Sequence, residues 1–481
     1  MTPAGLAIRA PFGNDGPMEA VAILDIGKTH AKLALVAGGR VVELRRTHVD
    51  EAPAPPYLHL PTEAIWRWAL GQLAELARIA RITDIVPVAH GASVAVIDAQ
   101  GLVLPMLDYQ QEIGDYDSAY EPLARDFAAT LSPRLPCGHN PGRQLFWLQR
   151  RFPQDFARAT AILGYAQYWA WRLSGVAASE ITALGNHSDL WRPRAADFAS
   201  LVDRAGWRPL FPPLRKAGDV LGAIRPDLAA ATGLPADCRI RAGIHDSNAA
   251  FLRWRLRLGE PFAVVSTGTF IVPLAAGGEV PQRGESLDCL GNVDALGNLI
   301  AGARFAGGKE YEAIKGDAAE EPEPPEERIA ALLARPCYAL PAFSGQGGPF
   351  AGTRGRFVDA AGHDAIPWRR ATLAALYCAL MTDLMLDLIK ARGAVLVEGP
   401  FAQNDVYIAA LATLRPASPV LPSHEINGTS LGAAMLVDPD APVDMPAATP
   451  PPALDLAPYR ARWRTLAGAM RLFETERVFF N

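Results

Sequence analysis

The sequence is poor in cysteine and has no cysteine pair. Five cysteines occur in 481 residues, widely scattered and never spaced as C-x-x-C. Such usage argues against a disulfide framework and is typical of reduced thiols in a cytoplasmic protein. Cys137 and His139 form a lone C-x-H, but a structural zinc ion needs four ligands, so a thiol beside a loop histidine is the better interpretation.

A strong excess of charge and a long apolar run are also missing. The 46 basic and 51 acidic residues leave a net charge of −5, which is not the basic footprint of a nucleic-acid-binding protein. No apolar run approaches the length that spans a bilayer, and the first residues lack the basic start and apolar stretch of a signal peptide. We expect a cytoplasmic protein with small-molecule partners, no nucleic acid and no membrane; a homodimer is left open.

The length indicates two large domains, because 481 residues exceed the size at which one hydrophobic core stops growing. A composition of 50% hydrophobic and 20% charged residues is ordinary for a globular protein. We place the first domain at 18–242, the second at 243–440 and a C-terminal extension at 441–481. Residues 1–17, rich in proline and glycine, are predicted to form a loose arm. A ligand would bind in the cleft between the domains.

Apolar periodicity predicts similar openings for the two domains. Residues 20–26, 32–36 and 41–46 read as a meander of strands, and residues 262–274 as a second pair of strands around a small-residue turn. This restatement suggests a duplicated architecture. Other predicted elements are a helix at 64–79, a strand at 85–90, two helices at 143–173 broken near Phe152 and Pro153, a charged surface loop at 320–327, an amphipathic helix at 373–389, a strand at 395–397, a helix at 407–414 and a helix at 459–473 that packs back on the body.

Residues 24–29 combine a strand end, a carboxylate and a glycine turn. Asp25 closes an apolar run, Gly27 turns the chain, and Lys28 and Thr29 follow directly. Phosphate groups are bound by backbone N–H groups that glycine exposes and by hydroxyl or ammonium donors, while a carboxylate holds Mg²⁺ or its waters. The segment is a candidate phosphate-binding turn with Asp25 as a metal ligand, although an ordinary turn capped by aspartate fits equally well.

Two later segments extend this pattern. Asp246 is followed by small residues suited to a helix N-terminus, where alone it would be interpreted as an N-cap. Ser266, Thr267, Gly268 and Thr269 form a hydroxyl-rich turn between two apolar strands. This turn is either a second phosphate-binding turn or a plain β-hairpin turn.

With these three motifs in order, the chain resembles the FGGY family of carbohydrate kinases over residues 20–437. Further segments carry the resemblance: 90–93 with Asp98, Gly101, Pro105 and Asp108 on the sugar side, 340–345 with Pro349, Arg354 and Gly355, 398–404 where such kinases hold adenosine, and 426–434 as their closing helix. Several motifs in the right order are far less expected by chance than one.

The resemblance implies an α/β fold of the actin-like, hexokinase-like and ribonuclease H-like ATPase type, with two domains and an interdomain cleft. It implies MgATP as phosphoryl donor and a small sugar as acceptor, a ketose such as xylulose, fuculose or rhamnulose. The implied roles are sugar binding by His90, Asp108, Tyr109 and Asp246, general-base catalysis by Asp246, metal binding by Asp25 and Asp246, and nucleotide binding by Lys28, Thr29, Ser266, Thr267, Gly268, Thr269, Gly345, Gly399, Pro400 and Asn404.

Three segments depart from the family pattern. Residues 106–110 lack the Trp and the Arg of the family's Trp-x-Asp-x-Arg, residues 399–400 reduce a glycine triplet to Gly-Pro, and residues 346–347 replace a Glu-Arg pair. These departures leave the sugar and the nucleotide preference open. His90 also fits a structural histidine, and Asp108 a turn-forming aspartate.

Two other functions remain open. A nucleotide-dependent binding or chaperone-like protein on the same ATPase fold would need neither a base opposite a sugar pocket nor His90 and Asp108. A degenerate kinase that only senses a sugar would fit the altered adenosine segment. ATP consumption that is slow alone and rises with an added sugar distinguishes the kinase from both.

Overall fold

The computed structural model describes residues 18–50, 55–124, 126–345 and 347–471. The predicted arm at 1–17 and the end of the C-terminal extension, 472–481, lie outside the described residues. The strands of the first half are β1 Glu19–Ile26, β2 His30–Ala37, β3 Arg40–His48, β4 Arg81–Ala89, β5 Val94–Asp98, β6 Gly101–Leu102, β7 Ala161–Gly164, β8 Ser179–Glu180, β9 Trp191–Arg192, β10 Asp197–Phe198, β11 Leu214–Arg215, β12 Val220–Ala223, β13 Arg239–Arg241 and β14 Ile244–His245.

The helices of this half are α1 Thr62–Leu76, α2 Asp117–Ala124, α3 Phe127–Thr130, α4 Pro141–Arg151, α5 Pro153–Phe156, α6 Tyr165–Ser174, α7 Ile181–Leu184, α8 Ser200–Arg204, α9 Pro226–Thr232 and α10 Asp246–Arg255. The predicted helix break at Phe152 and Pro153 is confirmed, because α4 ends at Arg151 and proline opens α5. The strand β7 between α5 and α6 was not predicted.

The second half has fewer strands and helices among the described residues. Its strands are β15 Phe262–Thr267, β16 Ile271–Ala276, β17 Cys289–Val293, β18 Leu299–Ala303, β19 Tyr338–Leu340, β20 Arg356–Val358, β21 Ala394–Glu398 and β22 Val420–Pro422. Its helices are α11 Gly307–Lys315, α12 Pro325–Ala334, α13 Arg370–Leu388, α14 Asp405–Leu414, α15 Gly428–Ala434 and α16 Ala457–Arg471. The predicted surface loop at 320–327 therefore ends in the first turn of α12.

The central strands of the two main sheets are paired in the same way, which supports the duplicated architecture. Their strand orders are β12-β13-β4-β1-β2-β3, with β14 also on β4, and β17-β18-β16-β15-β21-β22. In each sheet the opening strand pairs antiparallel with the next strand and parallel with a later one, β4 or β21. The carboxyl ends of the opening strands, at Asp25 and at Ser266, therefore occupy equivalent places.

The end of the first sheet bears on the domain boundary. The predicted boundary at 242/243 falls between β13 and β14, yet both strands pair parallel with β4. The pairing thus continues to His245, the residue before α10. Helix α10 begins on the first sheet and packs against α15 so closely that a Cβ at Gly432 would lie 1.8 Å from the carbonyl oxygen of Ala249.

Helix α13 differs from its prediction. The amphipathic interpretation is wrong, because residues from Ala371 to Leu386 are buried on every face between α11, α14 and the second sheet. The helix is long and apolar enough to cross a membrane by length and composition, contrary to our expectation that no run approaches that length, but 89% of its 18-residue window is buried inside the protein.

The C-terminal helix α16 packs back on the second domain, as predicted. Trp463 is fully buried there, and its indole N–H donates to the Ala339 carbonyl at 2.8 Å. The Tyr459 hydroxyl donates to the Cys337 carbonyl at 2.5 Å. Tyr459, Trp463 and Ala467 of the predicted extension are therefore part of the second domain's core.

Candidate active site

A cavity of about 280 Å³ lies where the opening hairpins of the two sheets meet α10. It brings together predicted site residues from both domains: Asp25 and Thr29 from the β1–β2 hairpin, Asp246 from α10 and Ser266 from β15. Gly27, His30, Lys32, Ser247, Ala250 and Thr429 complete the lining. The two turns that were predicted to bind phosphate are thus the turns of the β1–β2 and β15–β16 hairpins.

Asp25 is a buried carboxylate at the end of β1. Burial raises its pKa from 3.8 to about 6, against the opposing effect of the Lys32 ammonium 3.7 Å away, and the nearby Asp246 raises this pKa further. Two carboxylates that face one small cavity suit Mg²⁺, which binds one or two protein carboxylates together with phosphates and waters. The donor set therefore fits the predicted metal.

Replacing Asp25 with asparagine is expected to stabilise the ligand-free protein at neutral and alkaline pH. A folded-state pKa of about 6 contributes stability that is present below about pH 4 and is lost as the pH rises through 6. Above that window the ionised Asp25 carboxylate lowers the free energy of unfolding by about 2 to 3 kcal/mol. Thermal midpoints in EDTA should show a gain for Asp25→Asn that grows from about pH 5 to about pH 8.

The exposed Asp237, which pairs with Arg81 at the surface, provides the matched control. Asp237→Asn should change the midpoint little and equally at both pH values, since exposed ion pairs contribute little. A gain for Asp25→Asn that does not depend on pH would contradict the raised pKa of Asp25.

Asp246 is the first residue of α10, but it does not cap the helix. The N-cap residue is His245, and no side-chain cap bond is present there. The Asp246 Oδ1 accepts from the Ser247 N–H at 2.5 Å and the Ser247 hydroxyl at 3.1 Å, and the His245 Nε2 lies 3.2 Å away. The N-cap interpretation is therefore not supported.

A second cavity of about 700 Å³ opens behind the β15–β16 hairpin. It gathers Gly268 and Thr269 of the hairpin with Pro400 and Asn404 of the predicted adenosine segment. The other lining residues are Gly308, Lys309, Tyr311, Glu312, Lys315, Glu320 and Phe401. A planar base and a charged tail would meet aromatic side chains and two lysines in this cavity.

Close backbone approach explains the glycines around the second cavity. At Gly399 the φ angle is +85°, and a Cβ would lie 2.1 Å from the Thr267 carbonyl oxygen. At Gly308 a Cβ would lie 2.3 Å from the Gly268 carbonyl oxygen. Because no side chain fits at these contacts, main-chain atoms of the β15–β16 hairpin pack directly against α11 and against the 399–404 segment.

Four of the predicted nucleotide-binding residues, Lys28, Thr267, Gly345 and Gly399, line neither cavity. The Thr267 hydroxyl donates to the Glu398 carbonyl at 2.5 Å and accepts from the Phe401 N–H at 3.1 Å, so it fastens the adenosine segment to β15. Gly345 occupies a turn with φ +63° and lines neither cavity.

Lys28 connects the β1–β2 hairpin to the predicted sugar side. Its ammonium group donates to the Asp108 carboxylate and lies 5.5 Å from the centroid of the Tyr109 ring. Asp108 is 1% exposed, and its other oxygen accepts from the Gln110 N–H at 2.9 Å. Lys28, predicted to act toward phosphate, is therefore placed against a predicted sugar ligand.

His90 lies among aromatic rings on the same side. Its ring centroid is 5.3 Å from that of Tyr109 and 4.9 Å from that of Tyr165. Both ring nitrogens are buried and, within the described residues, neither has a hydrogen-bond partner. Burial lowers the pKa of His90 to about 4, so the ring is neutral. A buried polar group without a partner costs free energy, which favours a ligand site over a satisfied structural histidine.

Sequence reasoning missed several residues of the site. His245 and Asn248 flank the predicted base, and Arg253 and Trp254 at the other end of α10 both donate to Glu398. His245 was within the motif already singled out, so its position next to Asp246 was a usable signal. Nothing in the sequence pairs α10 with residue 398, which is far away along the chain.

Comparisons with known proteins agree with this geometry. The model described as "FGGY family of carbohydrate kinases, N-terminal domain" matches residues 133–252, and "Carbohydrate kinase FGGY, C-terminal domain" matches residues 259–445. The chain is 36% identical to a solved carbohydrate kinase from Novosphingobium aromaticivorans, covering 95% of this chain and 99% of that one with a TM-score of 0.87.

Two further relatives are more distant. An L-fuculokinase from Salmonella typhi is 27% identical over 201 residues, which cover 41% of this chain and 42% of the relative. The chain spans about half the length of the curated relatives that it matches. A xylulose kinase structure from Rhodospirillum rubrum is 20% identical, with a TM-score of 0.75 over 94% of this chain and 98% of that one, and shows the fold alone.

Proposed function

Because this chain belongs to the FGGY family of carbohydrate kinases, we propose that it transfers the γ-phosphoryl group of MgATP to a hydroxyl group of a small ketose. The observation that carries the proposal is the small cavity lined by Asp25 and Asp246, between the hairpins of two duplicated domains. A phosphoryl group held there would lie between a nucleotide cavity on one side and the His90, Asp108 and Tyr109 group on the other.

The nucleotide is assigned to the larger cavity. Adenosine would rest against Pro400 and Asn404, with Gly268 and Thr269 close to its phosphates. Thr29 and Ser266 line the smaller cavity from opposite domains, where each hydroxyl group can donate to a phosphate oxygen. Phosphoryl transfer needs mainly such positioning and charge stabilisation.

Asp25 and Asp246 would hold Mg²⁺, directly or through its waters, and the ion when bound neutralises charge on the transferring phosphate. In the chemical step Asp246 accepts the proton of the attacking sugar hydroxyl. The O–H bond breaks, the sugar oxygen bonds to the γ-phosphorus, and the bond from that phosphorus to the oxygen of ADP breaks. Closure of the two domains would exclude water as a competing acceptor.

The sugar is assigned to the side of His90, Asp108 and Tyr109. The ring nitrogens of His90, which have no hydrogen-bond partner among the described residues, and the buried carboxylate of Asp108 can each bond a sugar hydroxyl. The relative named for fuculose supports a ketose acceptor, and the proposal keeps both the deoxyhexuloses and the pentuloses that the resemblance implies. The assignment of a ketose also rests on the resemblance of the 90–93 segment to ketose kinases.

An assay for ADP formation tests the proposal. ATP turnover should be slow alone and rise on addition of a pentulose or a deoxyhexulose, with little response to polyols. Stimulation by polyols only would remove the ketose assignment. Sugar binding without turnover would indicate a sugar-sensing protein, and no effect of any sugar would favour a nucleotide-dependent binding protein.

A further inference from the structure

Both hydrogen bonds that the structure gives the Asp246 side chain go to one carboxylate oxygen, and a ring nitrogen of His245 faces the same oxygen. The Ser247 N–H and the Ser247 hydroxyl donate to Oδ1, and the Nε2 of the buried His245 lies 3.2 Å from it. What His245 contributes depends on which of its ring nitrogens carries hydrogen. A neutral imidazole has one N–H donor and one acceptor, and the partner of one nitrogen decides the other.

The contacts around His245, traced from a main-chain N–H group, show which of its ring nitrogens carries the hydrogen. The Val293 N–H donates to the Asn292 Oδ1 at 2.9 Å, which identifies that atom as the oxygen. The Asn248 amide atom 3.3 Å from this oxygen must then be its nitrogen, Nδ2, which also lies 3.1 Å from the His245 Nδ1. An amide turned the other way would set oxygen against oxygen.

The chain of contacts therefore leaves His245 Nδ1 as the acceptor and Nε2 as the N–H donor. We propose that His245 is a positioning residue for phosphoryl transfer: its Nε2–H donates to Asp246 Oδ1, so that Oδ2 is presented to the sugar hydroxyl. Asn248 and Asn292 act by fixing this hydrogen on Nε2. The inference rests on the proposed function, in which Asp246 is the base.

Gly91 supports the same arrangement from the first domain. A Cβ at this position would lie 2.9 Å from His245 Nε2 and 2.3 Å from the Asn186 amide nitrogen. Because Gly91 has no side chain, the His245 ring can lie beside Asp246 without a steric clash. The His245 N–H of the main chain donates to the Thr182 hydroxyl at 3.0 Å, which fixes the backbone as well.

Two variants separate hydrogen bonding from packing. Phenylalanine at position 245 keeps a ring without nitrogen, whereas glutamine can accept from Asn248 and donate to Asp246. His245→Phe is expected to lower kcat by about tenfold to a hundredfold, the effect of one hydrogen bond to a charged group. The KM values for sugar and MgATP should stay within about twofold. His245→Gln should recover most of the loss.

A double-mutant cycle with Asp246→Asn tests whether the effect passes through the base. In that background His245→Phe should cause no further loss, because two groups that act as one unit are not additive. Additive losses, a glutamine variant as slow as the phenylalanine variant at an unchanged thermal midpoint, or a loss confined to the sugar KM would each overturn the proposal.

An NMR experiment tests the same proposal without any substrate. In the histidine-labelled ¹⁵N protein, the ring signal that His245→Phe removes should show hydrogen on Nε2 and a bare Nδ1, and its N–H proton should shift in Asp246→Asn. A ring with hydrogen on Nδ1 overturns the inference, and so does an N–H proton whose chemical shift is unchanged in Asp246→Asn. Both outcomes are independent of which sugar the protein phosphorylates. If no sugar is phosphorylated, the proposed function fails while this spectrum still decides the role of His245.

Discussion

Asp246→Asn is expected to reduce kcat at least about a hundredfold, while fold and ligand affinities largely survive. A sugar hydroxyl is a poor nucleophile until its proton has an acceptor, and general-base assistance is worth about 10² to 10⁴ in rate. Asparagine keeps the size of the side chain and an acceptor oxygen for the Ser247 N–H, but it cannot take the proton. The measurements are kcat with the stimulating sugar and the thermal midpoint of each variant.

The matched control is Asp227→Asn in the first turn of α9, where the carboxylate pairs with Arg225 at the surface. This variant loses a charge at an equivalent helical position and should keep full turnover. A folded Asp246→Asn variant that retains more than about a tenth of wild-type kcat would contradict the assignment of the base.

Asp108→Ala is expected to weaken sugar binding far more than nucleotide binding. A hydrogen bond to a charged group contributes about 1.5 to 3 kcal/mol, so the sugar Kd should rise by about tenfold to more than a hundredfold for each bond lost. The variant also removes the Asp108 carboxylate from its ion pair with the Lys28 ammonium. Calorimetric titration with the sugar and with a non-hydrolysable ATP analogue measures both affinities.

Asp108→Asn serves as the conservative variant, because its amide oxygen can still accept the Gln110 N–H that shapes the turn. If Asp108 only forms the turn, asparagine should restore sugar binding completely. An unchanged sugar affinity in the alanine variant would return Asp108 to that structural role.

The positions of the two hairpin turns could be predicted from sequence because their signals are local. A carboxylate, a glycine and a hydroxyl within five residues locate the β1–β2 turn, and the same reasoning locates the turn after Ser266. The segment at 398–404 was found through its resemblance to a family rather than through its own pattern. The structure places all three segments around two adjoining cavities.

The remaining features depend on contacts that no local pattern encodes. Lys28 faces Asp108 only because 80 residues of chain fold back to bring a sugar-side loop beside the first hairpin. The surroundings of His245 include Asn292, which belongs to the other sheet. Helix α13 was misjudged because periodicity reports one apolar face, whereas a helix covered on all sides has no polar face to reveal it.

Helix α10 has a consequence for how the two substrates bind. Asp246 opens the helix and Arg253, about 10 Å further along the axis, binds Glu398 at the start of the adenosine segment. Under the proposed function, a nucleotide that shifts this segment would displace Asp246, the residue proposed to face the sugar. Each substrate would then change the affinity of the other by the same factor, as thermodynamic reciprocity requires, and one short helix would make the two binding equilibria interdependent.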